Sequence, residues 1–103
     1  MELKLNAESF DEHQMILIGE IIDRVKSDLK LAGVKDEQLK EMVGNIAFSI
    51  ATTLDNSSTT EFDGVVVNPY LVFQTQDNEL THCGGNSYMH EYVFGILDEV
   101  FES

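Results

Sequence analysis

The spacing of apolar positions divides this chain into a short alternating start, two long helical segments, a β-rich stretch and a closing helix. Leu3 and Leu5 alternate with Glu2 and Lys4, the pattern of a brief strand. The period then changes. Met15, Ile18, Ile21, Ile22, Val25 and Leu29 recur at spacings of three and four, with Glu20, Asp23, Lys26, Ser27 and Lys30 on the opposite side. This predicts an amphipathic helix of about six turns. Ser9 with Glu12 predicts a capping box at its start, and Gly33 can take the left-handed conformation that ends it. A second helix is predicted from Asp36-Glu37 onward, carried by Leu39, Met42, Val43, Ile46, Ala47, Ile50 and Leu54. The link between the two helices is short, so they are expected to lie antiparallel. Gly44, Ala47 and Ala51 are small enough to let a neighbouring helix come close.

Asn56 to Thr60 ends the second helix, and β-branched and aromatic runs follow. Gly64-Val65-Val66-Val67 and Leu71-Val72-Phe73 predict strands near residues 63–68 and 70–76. Asn68-Pro69 separates them, since proline has no N–H to give a sheet. A turn over Gln76-Asp77-Asn78-Glu79 leads into a short strand at Leu80, Thr81 and His82, which makes a small antiparallel meander. Cys83-Gly84-Gly85-Asn86 breaks the sheet. Ser87 is the expected cap of a last helix whose apolar face is Met89, Tyr92, Val93, Ile96, Leu97 and Val100. The predicted class is α+β: two N-terminal antiparallel helices, an antiparallel sheet of two or three strands, and a C-terminal helix on one sheet face. A chain of 103 residues fits one domain spanning residues 1–103.

Charge changes the picture more than composition does. Nineteen acidic residues against six basic ones give a net charge of −13. Such a surface repels nucleic acid and anionic lipid, and six cations cannot build a basic groove. It attracts a basic protein and speeds that encounter. No run of 18 apolar residues is present to span a bilayer. The first residues, Met-Glu-Leu-Lys-Leu-Asn-Ala-Glu, lack the basic start and apolar core of a secretory signal. The single cysteine, Cys83, cannot form an internal disulfide, which favours a reducing compartment. The expected location is the cytoplasm.

Candidate chemistry gathers in one stretch, His82-Cys83-Gly84-Gly85-Asn86-Ser87-Tyr88-Met89-His90-Glu91. His82, Cys83 and His90 are zinc-ligand types, but neighbouring strand side chains point apart and the spacing matches no zinc signature. Cys83 could act as a thiolate nucleophile, with His90 or His82 as base and Glu91 orienting it, because a following helix N-terminus lowers a thiol's pKa. Gly84-Gly85 lacks the further glycines and the lysine of a phosphate loop. Carboxylate pairs such as Asp98-Glu99 diverge around a helix rather than converging on a substrate. No cofactor is expected, and the chain is read as a binding protein rather than an enzyme. Tyr70 and Tyr88, beside turns, are the expected aromatic anchors of a partner surface rimmed by Asp98, Glu99 and Glu102. The other aromatics are expected mostly in the core. The reading is therefore a protein-binding module of accessory, inhibitor or immunity type, docking on a basic protein. The alternatives are a structural or regulatory homodimer and a thiol or metal-dependent enzyme centred on Cys83 and His90.

Overall fold

In the computed structural model, which describes residues 2–102, the chain folds as β1 (Leu3–Leu5), α1 (Ala7–Leu31), α2 (Asp36–Leu54), β2 (Thr60–Phe62), β3 (Val65–Val67), β4 (Phe73–Gln74), β5 (Leu80–His82), a 3₁₀ turn (Met89–Glu91) and α3 (Val93–Glu102). The class is α+β, as the order of periodicities predicts.

The first helix starts before the predicted Ser9 box. Asn6 is the cap, and its side-chain oxygen accepts the Ser9 N–H at 3.1 Å. Asn6 is itself anchored, because its N–H donates to the His82 carbonyl at 3.0 Å. The chain thus leaves the sheet at Asn6 and has to turn into helix there. At the other end, Gly33 sits at φ +89°. Its N–H reaches the Lys30 carbonyl and the Val34 N–H reaches that of Leu29, closing the open carbonyls of the last turn. Asn56, at φ +56°, ends α2 in the same manner.

The core is the space between three helices. Ile18 and Ile22 of α1, Leu39, Val43, Ala47 and Ala51 of α2, and Met89, Val93 and Leu97 at the C-terminal end form one buried cluster. α3 comes close to α2 at Gly44, where a β-carbon would lie 2.9 Å from Leu97 Cδ2 and would displace that side chain. Phe10, also fully buried, meets the ring of Phe73 edge-on and joins α1 to β4.

The strands form two separate units. In the main sheet the order is β1-β5-β4. β4 runs antiparallel to β5, but β1 lies parallel to it, so the short N-terminal strand completes a mixed sheet. The strand expected over 63–68 begins instead in a turn. Asp63 (φ +52°) and Gly64 (φ +80°) are both left-handed, as a two-residue type I′ hairpin demands. β2 and β3 pair across it as an antiparallel hairpin outside the main sheet. The strand expected over 70–76 shortens to Phe73–Gln74.

Candidate functional site

The loop expected to carry chemistry is organised by a residue not singled out in the sequence. Asp55, the residue that ends α2, is 2% exposed. Its carboxylate accepts three hydrogen bonds from the C-terminal segment: Ser87 Oγ at 2.6 Å, the His90 N–H at 2.8 Å and His90 Nδ1 at 2.7 Å. Asp55 therefore caps the 3₁₀ turn from a distant part of the chain, and Ser87 serves Asp55 rather than the helix. An ionised carboxylate only accepts, so Nδ1 of His90 carries the hydrogen. The hydroxyl of Ser57 lies 3.4 Å from that same nitrogen. His90 is held in place by the packing of the fold and stacks edge-on against Phe48.

His82 belongs to a different group. Its Nδ1 accepts the Gly84 N–H at 3.1 Å, and the hydroxyl of Tyr70 lies 3.2 Å from the same nitrogen. The thiol of Cys83 faces the carbonyls of Gly85 (3.3 Å) and Asn86 (3.5 Å) rather than a histidine. Glu91 is exposed and makes none of these contacts. Among the described residues, no three His, Cys, Asp or Glu side chains are gathered as a metal ion would need. His82, Cys83 and His90 are thus near in sequence but oriented by separate partners.

A third polar group ties α1 to the C-terminal segment. The buried Gln14 accepts the Tyr88 N–H at 2.7 Å, and Tyr92 donates its hydroxyl to Asp11. That hydrogen bond and burial raise the pKa of the Tyr92 phenol, and burial beside Asp11 raises that of Tyr88. Tyr88 is half-buried, its ring tilted at 45° to that of Tyr92, whereas Tyr70 is 47% exposed. Asp98 pairs with Lys40 at 2.7 Å, which links α3 to α2, while Glu99 and Glu102 are exposed.

The surface features that stand out are apolar. Every residue from Glu61 to Val67 is exposed, including Phe62 at 82% and Val65, Val66 and Val67 at 63%, 54% and 52%. With its Cα radius of gyration of 15.2 Å, the molecule is more extended than the roughly 13 Å typical of a compact chain of about 100 residues. The accessible surface of 6698 Å² exceeds by about 900 Å² the value typical of a monomer of this mass. Phe94, half-exposed on α3, stacks on Phe48 and adds a smaller apolar patch. The expectation of mostly buried aromatics therefore fails at Phe62 and Phe94. The missed signal for the arm was the Asp63-Gly64 pair flanked by β-forming residues. No family model matches this chain, and no curated protein or solved structure is significantly similar to it.

Proposed function

We propose that this protein is an acidic protein-binding module that docks on a basic partner through the β2–β3 arm. The observation that carries this reading is the row of uncovered apolar side chains on the arm, Phe62, Val65, Val66 and Val67. On one face of the hairpin, Phe62, Val65 and Val67 stand side by side, as pairing of Phe62 with Val65 and Thr60 with Val67 requires. A contiguous apolar surface of this kind marks an interaction site. Glu61 and Asp63 flank the apolar residues, and the arm has no cation. A cleft with apolar walls and a Lys- or Arg-bearing rim complements it, and the net charge of −13 steers such a partner in.

Affinity capture from the native host with the wild-type chain and with Phe62→Ser tests this, followed by titration of the purified partner at low and high salt. The expected result is a basic protein that binds the wild type, binds the variant at least tenfold more weakly, and loses affinity as salt rises. Retrieval of nothing basic, or binding indifferent to both salt and Phe62, would overturn the reading.

One observation favours a second reading, a homodimer. Antiparallel pairing makes Phe62–Val65 and Thr60–Val67 the hydrogen-bonded pairs around the tight turn, so the peptide groups of Val66 face the open edge. That edge carries no charge across Val65–Val67, so two copies could pair there about a two-fold axis. Sedimentation of the wild type against Val66→Lys separates the readings. A dimer that the lysine dissolves supports self-pairing, and a monomer throughout removes it.

A further inference from the structure

A second surface, independent of the arm, lies on the other unit of β structure. β4 is an edge strand of the main sheet. Beside it, an open groove of about 370 Å³ runs between the strand and α1, lined by His13, Ile16, Leu17, Glu20, Phe73 and Gln74. Its walls are mainly hydrocarbon. Ile16 is 69% exposed, a large aliphatic side chain left out of the core. Phe73 is fixed as one wall, because its ring meets Phe10 and His13 edge-on, each with centroids 5.3 Å apart.

The backbone of the adjoining edge is open. The Thr75 N–H donates to the Glu79 carbonyl at 2.8 Å, which makes that pair hydrogen-bonded. Bonded and non-bonded pairs alternate along an antiparallel ladder, so the next pair, Gln74 with Leu80, exchanges no bonds. The N–H of Leu80 accordingly points away from β4, to the Glu2 carbonyl at 2.7 Å. By the same alternation, the N–H and carbonyl of Gln74 point away from β5, toward the free edge. An exposed strand edge alongside an apolar groove is the arrangement that receives an extended chain as an added strand. Main-chain bonds then fix the register, and alternate side chains fill the groove.

Charge selects what the added strand carries. Glu20 stands on the groove wall, and Asp77 lies in the turn that continues β4. Two cations lie nearby, Arg24 paired with Glu20 at 2.7 Å and Lys4 paired with Glu79, so each is matched by an acid and Asp77 leaves the local balance negative. A second copy of this chain is a poor occupant, since its net charge is −13 and its open strand at Val65–Val67 is flanked by Glu61 and Asp63. We infer that the α1–β4 groove takes an extended partner segment in which apolar residues alternate with lysine or arginine, added as a strand to β4.

A synthetic hexapeptide, Lys-Val-Lys-Val-Lys-Val, titrated into the full ¹⁵N-labelled chain tests this. Saturable amide shifts are expected at His13, Ile16, Leu17 and Gln74. Ile16→Ser, which removes an exposed side chain and so preserves the fold, is expected to weaken binding by about tenfold through lost apolar contact. The counterpart peptide with glutamate in place of lysine, and one with proline at its centre, are expected not to bind. Shifts that map to the β2–β3 arm, no shifts at all, or equal binding of the glutamate peptide would overturn the inference. Phe62→Ser should leave peptide binding unchanged, so that failure of the arm as a docking element and failure of this groove are read separately.

Discussion

At the scale of single residues, the groups that hold the C-terminal segment are polar and buried. Asp55 satisfies three donors at once, so Asp55→Ala leaves the Ser87 hydroxyl, the His90 N–H and the His90 ring without their acceptor. Loss of a buried charged acceptor of this kind costs about 2–3 kcal/mol, which a lowered urea midpoint should register. Tyr92→Phe is expected to cost about 1–2 kcal/mol at neutral pH, because the hydroxyl donates to a carboxylate. The sign with pH follows from the phenol being raised above its ordinary value of 10.0. Stability from this contact is complete below that pH and falls as pH climbs above it, toward the raised pKa of the folded state. Denaturation at stepped alkaline pH should therefore show the wild type losing its advantage over Tyr92→Phe above about pH 10. Neither role was legible in the sequence, since Asp55 lies 35 positions from His90 and Asp11 lies 81 from Tyr92. Sequence neighbours suggested a His82–Cys83–His90 group. Tertiary partners pull those three side chains apart.

At the scale of elements, periodicity served the helices and misled on the strands. An apolar stripe long enough to define a 3.6-residue repeat predicts the existence of α1 and α2, although Met42 and Ile46 of the expected α2 stripe are exposed at 38% and 37%. Three-residue strands carry no such repeat, and Val65-Val66-Val67 forms only part of the strand expected over 63–68, because Asp63 and Gly64 turn the chain just before it. β1 pairs in parallel with a strand some 75 residues away, a choice that no local pattern encodes. The arm also predicts a separation of local from global stability. Gly64→Val places a β-branched residue at φ +80°, a conformation such residues strongly resist. Amide exchange is expected to quicken across residues 60–67, while the thermal midpoint of the domain barely moves, because the buried cluster draws nothing from the hairpin. A drop of the whole midpoint together with the hairpin would mean that the arm is packed on the domain after all.

At the scale of the molecule, an excess of thirteen negative charges acts on folding and on docking with opposite sign. Repulsion among carboxylates weakens the compact state, and salt relieves it over a screening length of about 8 Å at physiological ionic strength. Added sodium chloride is therefore expected to raise the thermal midpoint of the isolated chain. The same salt weakens attraction to a basic partner, so the complex should loosen as the free protein grows more stable. Position along the surface then separates acidity used for docking from acidity that only keeps the chain dispersed. Glu61 and Asp63 sit on the arm, and Asp63→Asn is tolerated in the turn because asparagine also adopts the left-handed conformation that position 63 holds. Glu12 and Asp28 are exposed acids on α1. Neutralising either pair changes net charge equally. If steering converges on the arm, Glu61→Gln with Asp63→Asn slows association with the partner several-fold more than Glu12→Gln with Asp28→Asn. Equal slowing by the two pairs, measured by stopped flow at low salt, would assign the charge to the molecule as a whole and deny the arm its part in recognition.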